Sequence, residues 1–97
     1  MISDEDFLRL FNVCAVLSKT PSNPPVASQS LDDLLPALNV DSLDTLIVGM
    51  YLCDVFGVPE EIGKTMQPRT VGETKDFLLA NATVESIDVD KVIENLK

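Results

Sequence analysis

Between Ser42 and Phe56 only Asp44 and Asp54 carry charge, and the remaining residues are apolar, small or hydroxyl-bearing. The stretch shows no strand alternation and reads as one long helix that is apolar on nearly every side. Gly57 stands where a C-terminal cap belongs and Pro59 follows, so the helix stops at Phe56. At about 3.6 residues per turn, Val48, Gly49, Leu52, Val55 and Phe56 share the side expected to face a core. Leu43, Ile47 and Met50 lie opposite, with Leu46 and Tyr51 at the flanks and Asp54 in line. A chain of 97 residues makes one compact domain and cannot enclose its longest helix all round. Leu43, Leu46, Ile47 and Met50 are therefore expected to be partly exposed as a contact surface, to which an adaptable thioether such as Met50 is suited.

The rest of the chain supplies further helices. Ser3 can cap a first one, with Asp4, Glu5 and Asp6 at its positive end and Phe7, Leu10, Phe11, Cys14 and Leu17 at helical spacing up to about Ser18. From Lys19 to Ser30, Pro21, Pro24 and Pro25 rule out a continuing helix and predict a long loop. A brief turn is expected over Leu31–Leu35 before Pro36, with Asn39 in a left-handed conformation redirecting the chain. Glu60 to Met66 predicts a short helix interrupted by Gly63 and closed by Pro68. Thr70-Val71-Gly72-Glu73 has the spacing of a reciprocal capping box and opens a helix from Val71 to about Ala80. Asp88 can cap a last helix with Val89, Val92, Ile93 and Leu96 on one face. No internal repeat appears, and the class is all-α. One domain is expected over 1–97, with a core of about 3–80 and a C-terminal extension over 81–97.

A net charge of −9 with 45% hydrophobic residues describes a folding chain rather than a disordered acidic tail. That charge repels phosphate backbones and anionic headgroups, which argues against nucleic acid and membrane surfaces and for protein partners with basic surfaces. Cys14 and Cys53 form no C-x-x-C pair, so neither a zinc site nor a disulfide framework is indicated. No run approaches a membrane span, and the acidic start Ser3-Asp4-Glu5-Asp6 is unlike a targeting peptide, giving the expectation of a cytoplasmic protein. The sequence holds no histidine and no G-x-S-x-G elbow, so no catalytic triad can be assembled. Asp32-Asp33 and Glu60-Glu61 lie in charged stretches that offer no cause for shifted pKa values. Asp88-Val89-Asp90 lacks the glycine and distant glutamate of a calcium loop, no glycine-rich phosphate loop is present, and a non-enzyme is expected.

Ser42 is placed at the first turn of the apolar helix, where unpaired N–H groups and the positive end of the macrodipole favour a phosphate ester on its hydroxyl. Asp41-Ser42-Leu43-Asp44, followed by Leu52, by Phe56-Gly57-Val58-Pro59 and by Thr70-Val71-Gly72-Glu73, resembles the acyl carrier proteins, in register over roughly Leu31 to Leu79. The resemblance implies a small four-helix bundle, here with a long first loop and an extra C-terminal helix. It implies that a phosphopantetheinyl transferase attaches phosphopantetheine from coenzyme A to Ser42, and that acyl groups ride on the arm as thioesters. It further implies docking onto acyltransferase, ketosynthase or ligase-type enzymes of fatty acid or polyketide biosynthesis, the carrier itself being a monomer; the stripe expected to be exposed assigns that docking to Leu43, Leu46, Ile47 and Met50, with Asp41, Asp44 and Asp54 as the acidic residues of the same helix and its start. The alternative for Ser42 is an ordinary N-cap. For Asp41 and Asp44 it is a helix-start charge, and for the outer stripe it is burial beneath the Pro-rich loop or in a homodimer.

Three departures sharpen the expectation. Ile47, Tyr51 and Cys53 stand where acidic or small residues are usual in the bacterial fatty-acid carriers, so partner choice should rest on apolar contact more than on charge steering. Asn39 replaces the usual glycine before the motif, and residues beyond Leu79 have no counterpart in the minimal pattern. Together these point to a specialised lipid or polyketide pathway. A peptidyl or aminoacyl carrier shares the modification but commonly has a glycine-rich lead into its serine, absent here. From a different class, an acidic helical interaction module without a prosthetic group would use the same apolar stripe.

Overall fold

The computed structural model describes residues 2–20 and 22–96. Among these the chain forms five α-helices, α1 Asp4–Ser18, α2 Ser42–Phe56, α3 Glu60–Gly63, α4 Val71–Asn81 and α5 Val89–Leu96, with a 3₁₀ turn over Leu35–Leu38. The only extended pairing among the described residues is an isolated bridge between Leu34 and Thr70. The all-α class and the small helical bundle follow as expected, and Pro21 of the first loop lies outside the described residues.

The ends of the helices are set by their caps. Ser3 Oγ accepts from the Asp6 N–H at 3.1 Å, closing one of the donors a helix start leaves open. Gly57 ends α2 in the left-handed region at φ 70°, and Asn39 does the same after the 3₁₀ turn at φ 60°. Glycine meets that demand without a Cβ penalty and asparagine at small cost. The carbonyls that α2 leaves open are taken up by the segment after α4, where Thr83 N donates to Phe56 O at 3.1 Å and Thr83 Oγ1 to Gly57 O at 2.6 Å.

α1 and α2 form the heart of the core. Phe7, Leu10, Phe11 and Cys14 are buried against Val48, Leu52 and Phe56, with Val71 and Leu78 joining from α4. Phe7 meets Phe56 edge-on at 6.1 Å between ring centres, the arrangement ring quadrupoles favour. The C-terminal extension is part of this core: Val89 is buried and Ile87, Val92, Ile93 and Leu96 pack against it.

Several local expectations are corrected. Leu17 is 37% exposed rather than core, in the last turn of α1. The brief turn before Pro36 forms at Leu31 and Asp32, closed by Asp33 N donating to Ser30 O at 3.1 Å, and Pro36 itself sits inside a second, 3₁₀ turn near its start, where its missing N–H costs nothing. α3 stops at Gly63 rather than Met66. Of the reciprocal box expected at Thr70 only one half forms: Thr70 Oγ1 accepts from Glu73 N at 3.1 Å, but the Glu73 carboxylate takes the Arg69 N–H at 3.4 Å instead of that of Thr70. The Thr70 region is occupied by pairing with the first loop, Leu35 N donating to Arg69 O at 3.0 Å and Val71 N to Asp33 O at 3.2 Å.

That loop is pinned at both margins. Asn12 on α1 exchanges two hydrogen bonds with the Ser28 backbone, at 2.7 and 3.0 Å, and Val26 N donates to Leu38 O. The Asp33 carboxyl collects the N–H groups of Gln29 and Ser30 and the Ser28 hydroxyl, which hold it below the usual carboxylate range, the Gln29 N–H foremost.

Candidate functional site

α2 begins with a complete reciprocal cap. Asp41 Oδ1 accepts from the Asp44 N–H at 2.9 Å, and Asp44 Oδ2 accepts from the Asp41 N–H at 3.2 Å. Thr45 Oγ1 adds a bond to Asp41 O at 2.8 Å. Because Asp41 is the N-cap, Ser42 occupies the first helical position and its hydroxyl is not committed to closing the helix end. Ser42 is exposed, on a turn whose leading N–H groups have no intrahelical acceptor and carry the positive end of the helix dipole.

Asp44 departs from its expected place on the docking face. It is 7% exposed, and its Oδ2 receives Lys19 Nζ at 2.7 Å. Lys19 is the residue that closes α1, so this ion pair ties the end of α1 to the start of α2. The hydrogen bond from the Lys19 ammonium holds the Asp44 carboxyl below the usual carboxylate range, against the opposing pull of burial and with help from the Asp41 N–H. The physical reason for the burial is register. Asp44 precedes Val48 by four and Leu52 by eight, so it lies on the inward row of α2.

The outer face of α2 is exposed as its pattern requires. Leu43, Leu46 and Met50 are 65%, 57% and 67% exposed, Ile47 and Tyr51 are half-buried, and Asp41 and Asp54 are exposed at the two ends. The Pro-rich loop therefore does not cover this stripe. A run of large apolar side chains left open to water is characteristic of contact surfaces.

Beside the stripe runs an open groove of about 870 Å³. Ser42, Thr45, Leu46, Gly49, Met50, Cys53 and Asp54 line one wall, spaced as a single helical row, which extends roughly 18 Å along α2 at 1.5 Å per residue. Val58, Gly63, Lys64, Met66 and Pro68 form the facing wall, with Leu35 and Val40 also lining the groove. Apolar side chains dominate, and Lys64 is the one basic residue among the described lining. Gly49, on the expected core side, lets the opposite wall close in: a Cβ there would fall 2.9 Å from Met66 Cε. Burial pushes the Cys53 thiol up, and raises Cys14 in the core to about 12, so both are poor nucleophiles at neutral pH. Lys19 and Met66 were not singled out by sequence reasoning; Met66 falls in the expected short helix but in fact follows its end and folds onto α2.

Among the described residues, no three His, Cys, Asp or Glu side chains converge as a metal site, and no helix is long and apolar enough to cross a membrane. No family model, no curated protein and no solved structure matches the chain.

Proposed function

We propose that this chain is an acyl carrier, bearing phosphopantetheine on Ser42 and presenting acyl or polyketide intermediates to partner enzymes of a specialised pathway in the cytoplasm. The observation that carries the reading is the placement of Ser42. Its hydroxyl is exposed at the first position of a rigidly capped helix, is spared the capping role by Asp41, and opens onto an apolar groove. A phosphodiester there benefits from the helix dipole and the free N–H groups of the first turn. The arm, once attached, supplies a terminal thiol for thioester carriage. The chain's own residues then do the remaining work: the Asp41–Asp44 cap and the Lys19 ion pair hold the serine turn still, and the groove offers carbon and sulfur surface that can shelter an apolar cargo from water.

Partner recognition, in this reading, falls to Leu43, Leu46, Ile47 and Met50, with Asp41 and Asp54 as flanking charges. Asp44 is withdrawn from that role because its charge is spent on Lys19. Partner enzymes would then present an apolar recess rather than a broad basic patch, and complex formation should depend weakly on salt.

Incubating the protein with coenzyme A and a broad-specificity phosphopantetheinyl transferase should add one phosphopantetheine to wild type and none to a folded Ser42→Ala variant. An unmodified wild type would remove the reading. The exposed stripe also favours a second reading, a helical interaction module with no prosthetic group. That reading predicts a complex or oligomer broken by Leu43→Asp or Met50→Asp and indifferent to Ser42→Ala.

A further inference from the structure

Met66 stands between two spaces. On one side is the open groove along α2, and on the other a narrow apolar void with no room for water, bordered by Phe11, Val40, Val48 and Thr74. Gly49 and Met66 border both, as do Leu35, Val40, Thr45 and Pro68. The close approach of Met66 Cε to the bare Gly49 backbone, where a Cβ would lie at 2.9 Å, shows that the thioether is seated on α2 at its one position without a side chain. Met66 follows the end of α3, held by its N–H to Gly63 O at 3.1 Å. An unbranched side chain turns among staggered rotamers without a backbone change, so this one can leave Gly49 while α2 stays in place.

We propose that Met66 is a specificity-determining residue for cargo: seated, it closes the groove floor, and turned aside, it admits the tail of a linear acyl chain toward Phe11 and Val48. The length of tail that the bundle shelters is then set by this side chain. The inference rests on the carrier reading for its occupant. An alkyl tail is the occupant that the walls select, since no charged residue is among the described lining of the inner void and its two hydroxyls, Thr45 and Thr74, already donate to Asp41 O and Thr70 O, so a charged group there would lose its water without gaining an ionic partner.

The test places the tail on the protein without any transferase. A Ser42→Cys, Cys53→Ala protein is coupled by disulfide exchange to linear alkyl methanethiosulfonates from butyl to hexadecyl, singly labelled species are selected by intact mass, and the midpoint of thermal unfolding is followed against chain length. Carbons that become buried raise the midpoint and carbons left in water do not, so each protein shows a length at which the rise stops. Adding Met66→Ala removes three side-chain heavy atoms and should move that limit longer by about three carbons, the volume left open. Met66→Phe should move it shorter. Identical limits in all three proteins would overturn the gate. Shifted limits together with a wild type that no transferase modifies would support the gate and overturn only the carrier reading.

Discussion

Replacing Lys19 with methionine should destabilise the protein in a way that shrinks on acidification. Lys19 Nζ lies 2.7 Å from Asp44 Oδ2, and the two side chains are 6% and 9% exposed. Methionine keeps most of the apolar stem but strands the carboxylate, leaving the Asp41 N–H at 3.2 Å as its remaining donor. Stranding a fully buried charge costs about 3–5 kcal/mol. Here the helix dipole offsets part of that, and the side chain sits near the surface, so about 2–3 kcal/mol is expected. For a domain of this size that lowers the unfolding midpoint by roughly 10–20 °C.

The pH dependence follows from the lowered folded-state pKa of Asp44. In the wild type its contribution is complete above the unfolded value of roughly 3.9 and is lost as pH falls through the folded value below that. Without Lys19 the burial that opposes it prevails and the carboxyl is pushed up, so protonation relieves the variant before it affects the wild type. Urea unfolding followed by circular dichroism should show the gap between the two proteins narrowing from neutral pH to about pH 4. A gap under about 0.5 kcal/mol at neutral pH, or one constant with pH, would refute the assignment of Asp44 as a buried, lysine-paired carboxylate.

Gly57→Ala places a Cβ in the left-handed region at φ 70° and against the Thr83 side chain; a loss above about 1–2 kcal/mol is expected by the same unfolding assay. Cys14, fully buried and with its thiol raised to about 12, should resist iodoacetamide up to roughly pH 9 in the folded protein and react once urea is added. Leu43→Asp and Met50→Asp, at 65% and 67% exposure, should change stability by less than about 0.5 kcal/mol. Under the proposed carrier function, the same variants should raise the KM of an acyl-transferring partner enzyme for the loaded protein.

The starts of α1 and α4 and the end of α2 were legible because each is written in local chemistry: Ser3 and Thr70 offer a hydroxyl, and Gly57 a backbone that accepts positive φ. The Asp41 cap was not, since Asp41 read only as a helix-start charge and the capping role was open to Ser42. The exposed stripe at Leu43, Leu46 and Met50 was legible from spacing alone. Asp44 was half legible. Its four-residue offset from Val48 marks it as inward, but the lysine that makes burial tolerable is 25 residues away, and no periodicity links the two. The exchange of the Glu73 partner from Thr70 to Arg69 falls in a segment whose flanking backbone groups pair with Asp33 and Leu35, a pairing that no local spacing announces. The pairing of Met66 with Gly49 was hidden for a further reason. A glycine in a helix announces missing volume, and only the folded chain says whose side chain fills it.

The most direct test of the central claim is the intact mass of the protein isolated from the cells that make it, with fragmentation of the peptide containing Asp41 to Asp44. The account predicts one phosphopantetheine, or one acylated phosphopantetheine, located on Ser42. An unmodified Ser42 in protein from cells active in the pathway, or the same group on any other residue, would contradict it.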